Sequence, residues 1–232
     1  MAGKLQTIGF DADDTLWHNE RFFVLTQDRF AELLRDYADR DHLADRLIES
    51  ERRNIGHYGF GVKGFVLSMI ETAIEVTDGR VPATVISELM AAGREMLAHP
   101  IELLPHAREA VEAVADTHRL ILITKGDLLH QERKLAQSGL GDLFDAVEIV
   151  SDKQPETYTR IFGTAPGGAG AAMMVGNSMK SDVVPAIEAG AWGVHVPHDL
   201  AWALEHAEAP ETPRFRSVAD LGALPALVAE IG

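Results

Sequence analysis

The chain has 232 residues, 46% of them hydrophobic, with no cysteine and a formal net charge of −15 at pH 7. This length fits one large domain or a core with an insert, and the lack of cysteine excludes disulfides and thiolate–metal sites. Nonspecific nucleic-acid binding needs a basic surface, and no apolar run approaches the roughly 20 residues of a membrane span. We therefore expect a cytoplasmic protein that binds neither nucleic acid nor membranes.

The N-terminal part begins with a strand and continues as helix and loop. The apolar run LQTIGF stops at Phe10, before DADDT, which is typical of a buried strand that enters a polar loop. The glycine-rich segment 56–64 (GHYGFGVKG) predicts a loop. Helical patterns lie at residues 20–51, 65–76 and 82–98. We interpret residues 18–101 as an inserted helical cap.

The remainder of the chain alternates strand and helix. Strands are predicted at 120–124, 146–150, 171–176 and 192–196, and the first of them (LILIT) is a continuous apolar run of the kind expected for a strand buried on both faces. Helical patterns lie at 106–116, 128–138, 157–162, 183–189 and from about 219. This alternation predicts an α/β core with a parallel sheet, formed by residues 1–17 and 102–232.

Polar residues follow four of the predicted strands, where open parallel sheets bind ligands. They are Asp11, Asp13, Asp14 and Thr15; Thr124, Lys125, Gly126 and Asp127; Ser151, Asp152 and Lys153; and Gly176, Asn177, Ser178, Ser181 and Asp182. The topology predicts that these four sets converge in one crevice.

The chemistry of these residues suits a phosphate ester and a magnesium ion. Hard oxygen ligands are available on Asp11, Asp13, Asn177 and Asp182. Lys153 supplies a cation, Thr124 a hydroxyl, and the turn at Lys125 and Gly126 backbone N–H groups for phosphate oxygens. A carboxylate can attack phosphorus only if the phosphate charge is neutralised, which the metal and the lysine would do.

The sequence resembles the haloacid dehalogenase-like superfamily, on its phosphatase side. The segment Phe10–Leu16 (FDADDTL) matches the DxDxT signature, and Thr124–Gly126 matches a Ser/Thr with a small turn. Lys153 matches the family's single lysine. Gly176–Asp182, with Ala189–Gly190 after it, matches the GDSxxxD segment and its following AG.

This resemblance implies a Rossmann-like core with a helical cap inserted after the first motif. It implies that Asp11 is the nucleophile, which forms an aspartyl-phosphate, and that Asp13 is the acid/base, whose backbone carbonyl binds Mg²⁺. The implied phosphoryl-binding residues are Thr124 and Lys153, and Asn177 and Asp182 complete the implied metal site.

Two residues depart from the family pattern. Asn177 stands where an aspartate is usual, which keeps a carbonyl oxygen but removes a charge, so we expect weaker or more selective metal binding. Lys125 stands where an asparagine is common, and it either adds positive charge beside the phosphate or points to solvent. Asp14 is interpreted as a structural loop residue.

The predicted function is Mg²⁺-dependent hydrolysis of a small phosphorylated metabolite. Nucleotides, flavin mononucleotide and sugar phosphates are all open as substrates, and the DADDTLW form of the first motif favours the first two. The alternatives are a phosphoglucomutase-like phosphotransferase, a 2-haloacid dehalogenase, and a non-catalytic regulatory binding protein. Asp13 argues against dehalogenation, and the intact pair of Asp11 and Asp13 argues against a non-catalytic protein. The sequence leaves the oligomeric state open.

Overall fold

The computed structural model describes residues 4–200 and 202–232, and in that part of the chain six strands form one parallel sheet. The strands are β1 (Thr7–Phe10), β2 (Arg119–Lys125), β3 (Ala146–Val150), β4 (Ala172–Gly176), β5 (Trp192–His195) and β6 (Phe215–Ser217). Their order across the sheet is β3-β2-β1-β4-β5-β6. The predicted α/β class and the five predicted strands are confirmed. The sixth strand has three residues at the sheet edge, too few for a pattern to reveal.

The α-helices of the described residues surround the sheet or follow β1 in sequence. They are α1 (Glu20–Leu34), α2 (Arg40–Tyr58), α3 (Val62–Val76), α4 (Ala83–Ala98), α5 (Ala107–Ala115), α6 (Leu128–Ser138), α7 (Pro155–Gly163), α8 (Val184–Glu188) and α9 (Leu224–Ile231). A single π-helical turn, Met179–Val183, precedes α8. No helix in residues 4–200 and 202–232 is long and apolar enough to cross a membrane.

Both faces of the sheet are covered by apolar side chains, because alternate strand residues enter different clusters. On one face, Phe10 and Leu122 pack with residues of α5 and α9. On the other face, Ile123 and Met174 pack with Phe162 of α7. The uninterrupted apolar runs of the sequence follow from this double burial. Polar chemistry is therefore confined to the strand ends.

The long helical pattern predicted over 20–51 is interrupted. Helix α1 ends at Leu34, and α2 starts at Arg40 after Asp39. The Asp39 carboxylate caps α2 by accepting a hydrogen bond from the His42 N–H at 3.0 Å. Residues 39–42 (DRDH) interrupt the apolar period, and Asp39 is a typical N-cap residue, so the sequence does carry a signal for the break that the single predicted helix overlooked.

The prediction of a loop over residues 56–64 is confirmed only for 59–61, and the rest of that segment is helical. Helix α2 continues through Gly56 to Tyr58, and α3 begins at Val62. Gly59 and Gly61, between the helices, have φ of +73° and +106°, which favours glycine. The glycines of this segment therefore allow a tight connection of two helices.

The chain divides into two compact units. The sheet unit comprises the described residues up to Glu20, Ile101–Lys125, and those from Gln131 onward. The helical unit comprises Arg21–Pro100 and Gly126–His130. The predicted boundaries did not place residues 126–130 in the helical unit. The division into a core of residues 1–17 and 102–232 and a cap of residues 18–101 stays a prediction.

Candidate active site

Asp11 lies directly after β1, at the carboxyl edge of the sheet. Its backbone N–H donates to the Val175 carbonyl of β4 at 2.9 Å, which fixes the start of the loop. The carboxylate is buried. The Lys153 Nζ lies 2.5 Å from its Oδ1, and the Thr15 hydroxyl donates to its Oδ2 at 2.9 Å. The two predicted site residues Asp11 and Lys153 are therefore in direct contact.

Asp182 joins the same lysine from the π-helical turn after β4. The Lys153 Nζ lies 2.6 Å from the Asp182 Oδ1, and the Ser178 N–H donates to Oδ2 at 2.9 Å. The carboxylate packs over Gly176, where an added Cβ would lie 2.3 Å from Oδ2. Glycine is required at this strand end because the aspartate occupies the space of a side chain.

Asp11, Asp182 and Lys153, called the acidic trio below, bring two carboxylates and one ammonium into a buried position. Burial, together with the charge of Asp182, raises the pKa of Asp11 to about 7 against the opposing effect of Lys153. Burial works to lower the pKa of Lys153, but the two carboxylates outweigh it and raise that pKa above its usual value. The fully ionised trio thus has one negative charge in surplus, which a cation would offset.

Asn177 approaches Asp11 through a shared hydroxyl. The Thr15 Oγ lies 2.9 Å from Asp11 Oδ2 and 3.2 Å from Asn177 Oδ1, and it accepts the Asn177 N–H at 3.0 Å. A hydroxyl has one proton, so it serves only one of these two side-chain oxygens at a time. A hard cation such as Mg²⁺ is a suitable partner for the other oxygen.

In residues 4–200 and 202–232 no three or more His, Asp or Glu side chains cluster as a metal site. A magnesium site would therefore combine carboxylate oxygens of Asp11 or Asp182 with neutral oxygens, such as the Asn177 amide and the Asp13 main-chain carbonyl. Both oxygens of Asp182 contact protein donors, as do both oxygens of Asp11, so either carboxylate would bind a metal only by exchanging a donor. The predicted set of four metal ligands stays a prediction.

Asp13 follows Asp11 by two residues but contacts a different set of donors. The Lys134 Nζ lies 2.6 and 2.7 Å from its two oxygens, the Trp17 Nε1 donates at 2.7 Å, and the Gln131 Nε2 donates at 3.1 Å. Burial works to raise the pKa of Asp13, but the charge and hydrogen bonds of Lys134 lower it below its usual value. Asp13 is thereby held as a carboxylate.

Thr124, at the end of β2, is connected to Asp13 through one amide. The Gln131 Nε2 donates to the Thr124 Oγ1 at 2.6 Å and to the Lys125 carbonyl at 2.9 Å. Gly126, which follows, has φ of +131°, a conformation open to glycine. The phosphoryl-binding roles of Thr124, Lys125 and Gly126 stay predictions.

The Lys125 side chain extends toward the loop between β5 and β6. Its Nζ lies 2.7 Å from Glu205 Oε1 and 2.8 Å from the Ser181 Oγ. The hydroxyls of Ser178 and Ser181 donate to Glu205 Oε2. Burial works to raise the pKa of Glu205, but Lys125 and the serines lower it below its usual value. Lys125 therefore does not simply point to solvent, one of the two readings of its sequence.

Asp14 caps the start of α1. Its carboxylate accepts backbone N–H groups of Asn19 at 2.8 Å and Glu20 at 2.9 Å. Its φ of +58° is a left-handed conformation that Asp tolerates. Burial raises the pKa of Asp14 to about 6. These contacts agree with the interpretation of Asp14 as a structural loop residue.

A family model described as a hydrolase, haloacid dehalogenase-like, matches residues 5–190, which include all the strand ends discussed above. The chain belongs to the haloacid dehalogenase-like hydrolase family. No curated protein sequence matches the chain.

Solved structures similar to this haloacid dehalogenase-like hydrolase include a haloacid dehalogenase-like family hydrolase from Xanthomonas campestris. It has 42% identity and a TM-score of 0.89, over 98% of this chain and 92% of that one. A predicted phosphoglycolate phosphatase from Haemophilus somnus has 17% identity and a TM-score of 0.64, over 97% and 98% of the two chains. The L-2-haloacid dehalogenase from Xanthobacter autotrophicus, with chloropropionic acid covalently bound, has 20% identity and a TM-score of 0.65, over 98% and 100%. The last two share the fold of this hydrolase, and they include both a phosphatase and a dehalogenase by name.

Sequence reasoning missed three charged or polar residues of this hydrolase's site: Gln131, Lys134 and Glu205. Helix α6 carries a sequence signal, because Gln131, Lys134 and Ser138 recur at helical spacing where a buried stripe would be apolar, and these are the residues that the structure buries. A helix that buries polar residues three apart, while Leu128 and Leu129 are exposed, has its polar side toward a site. Glu205 lies in the connection between β5 and β6, and its local sequence gives no such signal.

Proposed function

We propose that the protein is a Mg²⁺-dependent phosphomonoester hydrolase that acts on a small phosphorylated metabolite through an aspartyl-phosphate on Asp11. The observation that carries this proposal is the acidic trio, with Asp13 two residues beyond Asp11 at the same sheet edge. A buried surplus of negative charge beside a lysine suits a site that receives a cation and then a phosphate.

The chain's own residues account for both steps of such a reaction. An Asp11 oxygen bonds to phosphorus as the ester P–O bond breaks, and Asp13, which is a carboxylate in the free protein and must be protonated in the substrate complex, gives that proton to the departing oxygen. Water then attacks the aspartyl-phosphate while Asp13 accepts its proton, which releases inorganic phosphate and restores Asp11. Lys153 offsets phosphate charge in both steps.

The donors Asp11, Asn177 and the Asp13 carbonyl would hold the magnesium ion. When bound, Mg²⁺ would neutralise charge on the phosphate oxygens and make phosphorus accessible to a carboxylate. The helical unit is proposed as a cap that sets substrate size, and the location remains predicted as cytoplasmic. Nucleotides, flavin mononucleotide and sugar phosphates remain the candidate substrates.

Dehalogenation is the second candidate because a dehalogenase shares the fold. A carboxylate that displaces halide from carbon requires no acid for the leaving group, so it gives Asp13 no role. Phosphotransfer of the phosphoglucomutase type retains Asp13 and differs only in the acceptor of the phosphoryl group.

The test is release of p-nitrophenolate and inorganic phosphate from p-nitrophenyl phosphate, with Mg²⁺ and after chelation. Asp11→Asn is expected to reduce turnover by at least about a thousandfold, because it removes the nucleophile. Asp116→Asn, at an exposed position after α5, is the matched control and is expected to retain full activity.

Equal rates for the wild type and Asp11→Asn would overturn the proposal. Chloride release from 2-chloropropionate, without phosphatase activity, would establish the dehalogenase instead. Recovery of a phosphorylated product in place of free phosphate would establish a transferase. A panel of phosphorylated metabolites then identifies the substrate class.

A further inference from the structure

Helix α6 buries charge where a helix normally buries apolar side chains. Gln131, Lys134 and Ser138 form its buried residues, and the Lys134 side chain is only 6% exposed. A buried ammonium is costly unless a carboxylate pairs with it. The partner here is Asp13, with which Lys134 forms contacts of 2.6 and 2.7 Å to both oxygens.

The Asp13 carboxylate is saturated in this arrangement. Lys134 and Trp17 contact its Oδ1, and Lys134 and Gln131 contact its Oδ2. A carboxylate accepts about four hydrogen bonds, so these four contacts use its capacity. A leaving-group oxygen or an attacking water can bond to Asp13 only when one donor gives way.

The amide of Gln131 connects this carboxylate to the phosphoryl-binding strand. It has two protons and lies within hydrogen-bonding distance of three acceptors: the Thr124 hydroxyl, the Lys125 carbonyl and Asp13. Its contact with Asp13, at 3.1 Å, is the longest of the three and the cheapest to exchange for a water or a substrate oxygen. Lys134 retains its hold while that exchange occurs.

We propose that Lys134, assisted by Gln131, is a positioning residue that holds Asp13 in the orientation from which it exchanges protons with the leaving group and with water. The proposal rests on the proposed function, since it assigns a task to the acid/base of that reaction. Lys134 itself contacts no reacting atom in this account.

The test separates the two chemical steps with p-nitrophenyl phosphate and Mg²⁺. Because p-nitrophenolate departs without a proton, Lys134→Met is expected to form the aspartyl-phosphate normally and to hydrolyse it slowly. Rapid mixing is expected to show a burst of nearly one p-nitrophenolate per enzyme, then a steady state lowered roughly 10- to 100-fold, part of the contribution of general acid–base catalysis. With an alkyl phosphate such as glycerol phosphate, whose leaving group needs the proton, Lys134→Met should lose more activity and show no burst of alcohol.

Two variants make the readout specific to positioning. Lys134→Arg keeps a cation that can pair with both oxygens, and it is expected to recover most of the lost steady-state rate. Arg133→Met, on the exposed side of the same helix, is expected to behave as the wild type. Thermal denaturation and circular dichroism establish that each variant is folded.

A folded Lys134→Met enzyme with the wild-type steady-state rate, or with burst and steady state reduced together, would overturn the inference. If Lys134→Met does not fold, Gln131→Met replaces it, since it removes the amide without leaving a buried charge. The same burst pattern at smaller size is then expected, and its absence counts against the inference. If the release of p-nitrophenolate by the wild type does not depend on Asp11, the proposed function itself is overturned.

Discussion

Two regions of the molecule bury polar groups, and they do so in opposite ways. Between α2 and α3 of the helical unit, the Asn54 amide donates to Ser68 Oγ at 3.2 Å and to Glu71 Oε2 at 2.6 Å. Glu71 is further paired with Arg53 at 3.0 Å. At the sheet edge, the acidic trio instead leaves two carboxylates to share one ammonium.

The contrast separates groups that stabilise the fold from groups that the fold must tolerate. Between α2 and α3 the Asn54 amide makes satisfied hydrogen bonds, so its removal should cost stability. In the acidic trio the surplus charge opposes folding, as the raised pKa of Asp11 indicates. Such opposition is typical of functional sites.

The largest effect is expected at Asp11, where a substitution should lower activity and raise stability. Asp11→Asn removes the surplus charge, so we expect it to raise the melting temperature in chelator at pH 8 while abolishing turnover. It should also reduce the stabilisation by Mg²⁺, measured as the melting shift between chelator and excess ion. A lower melting temperature than the wild type at pH 8 would contradict the idea that the trio carries destabilising charge.

Gly176→Ala tests how tightly the trio is packed. The new Cβ would meet the Asp182 carboxylate at 2.3 Å, and overpacking of this kind costs roughly 1–3 kcal/mol in the free energy of unfolding. Displacement of Asp182 should also lower turnover through Lys153. Gly163→Ala, at a glycine with open space around it, is the matched control. Equal unfolding curves for the two variants would refute the steric argument.

Asn54→Ala tests the hydrogen-bonded polar groups between α2 and α3. Loss of the amide leaves its buried partners with fewer donors, so we expect a cost of about 1–2 kcal/mol in unfolding free energy. Denaturant titration measures it, with Arg52→Ala on the exposed side of α2 as control. Unlike Asp11→Asn, this change should not stabilise the protein at any pH.

The smallest effect is expected from Glu205→Gln, and it depends on pH. The folded pKa of Glu205 is lowered from its ordinary value of 4.5, so its stabilisation is present above pH 4.5 and is lost as pH falls through the folded pKa. Because the amide oxygen of the variant still accepts hydrogen bonds, we expect it to lose about 1 kcal/mol at pH 7 and progressively less below pH 4.5. Glu132→Gln, exposed on α6, provides the control in paired denaturation curves. A difference in unfolding free energy between the wild type and Glu205→Gln that grows as pH falls would contradict this prediction.

Much of the fold could be predicted because local signals were strong. The runs LILI and AMMV are apolar at every position, which only a doubly covered strand requires. The segment 56–64 misled because glycine has two uses, in loops and where helices meet closely. The edge strand β6 was missed since three residues carry no period.

The sequence by itself determined the fold class and the positions of Asp11, Lys153 and Asp182, because motifs at strand ends of a parallel sheet must meet at one edge. Only the tertiary structure decided which charges are balanced there. The pairing of Asp13 with Lys134 and of Lys125 with Glu205 joins residues that are far apart in the chain. A carboxylate's partner depends on packing in three dimensions, and local sequence does not record it.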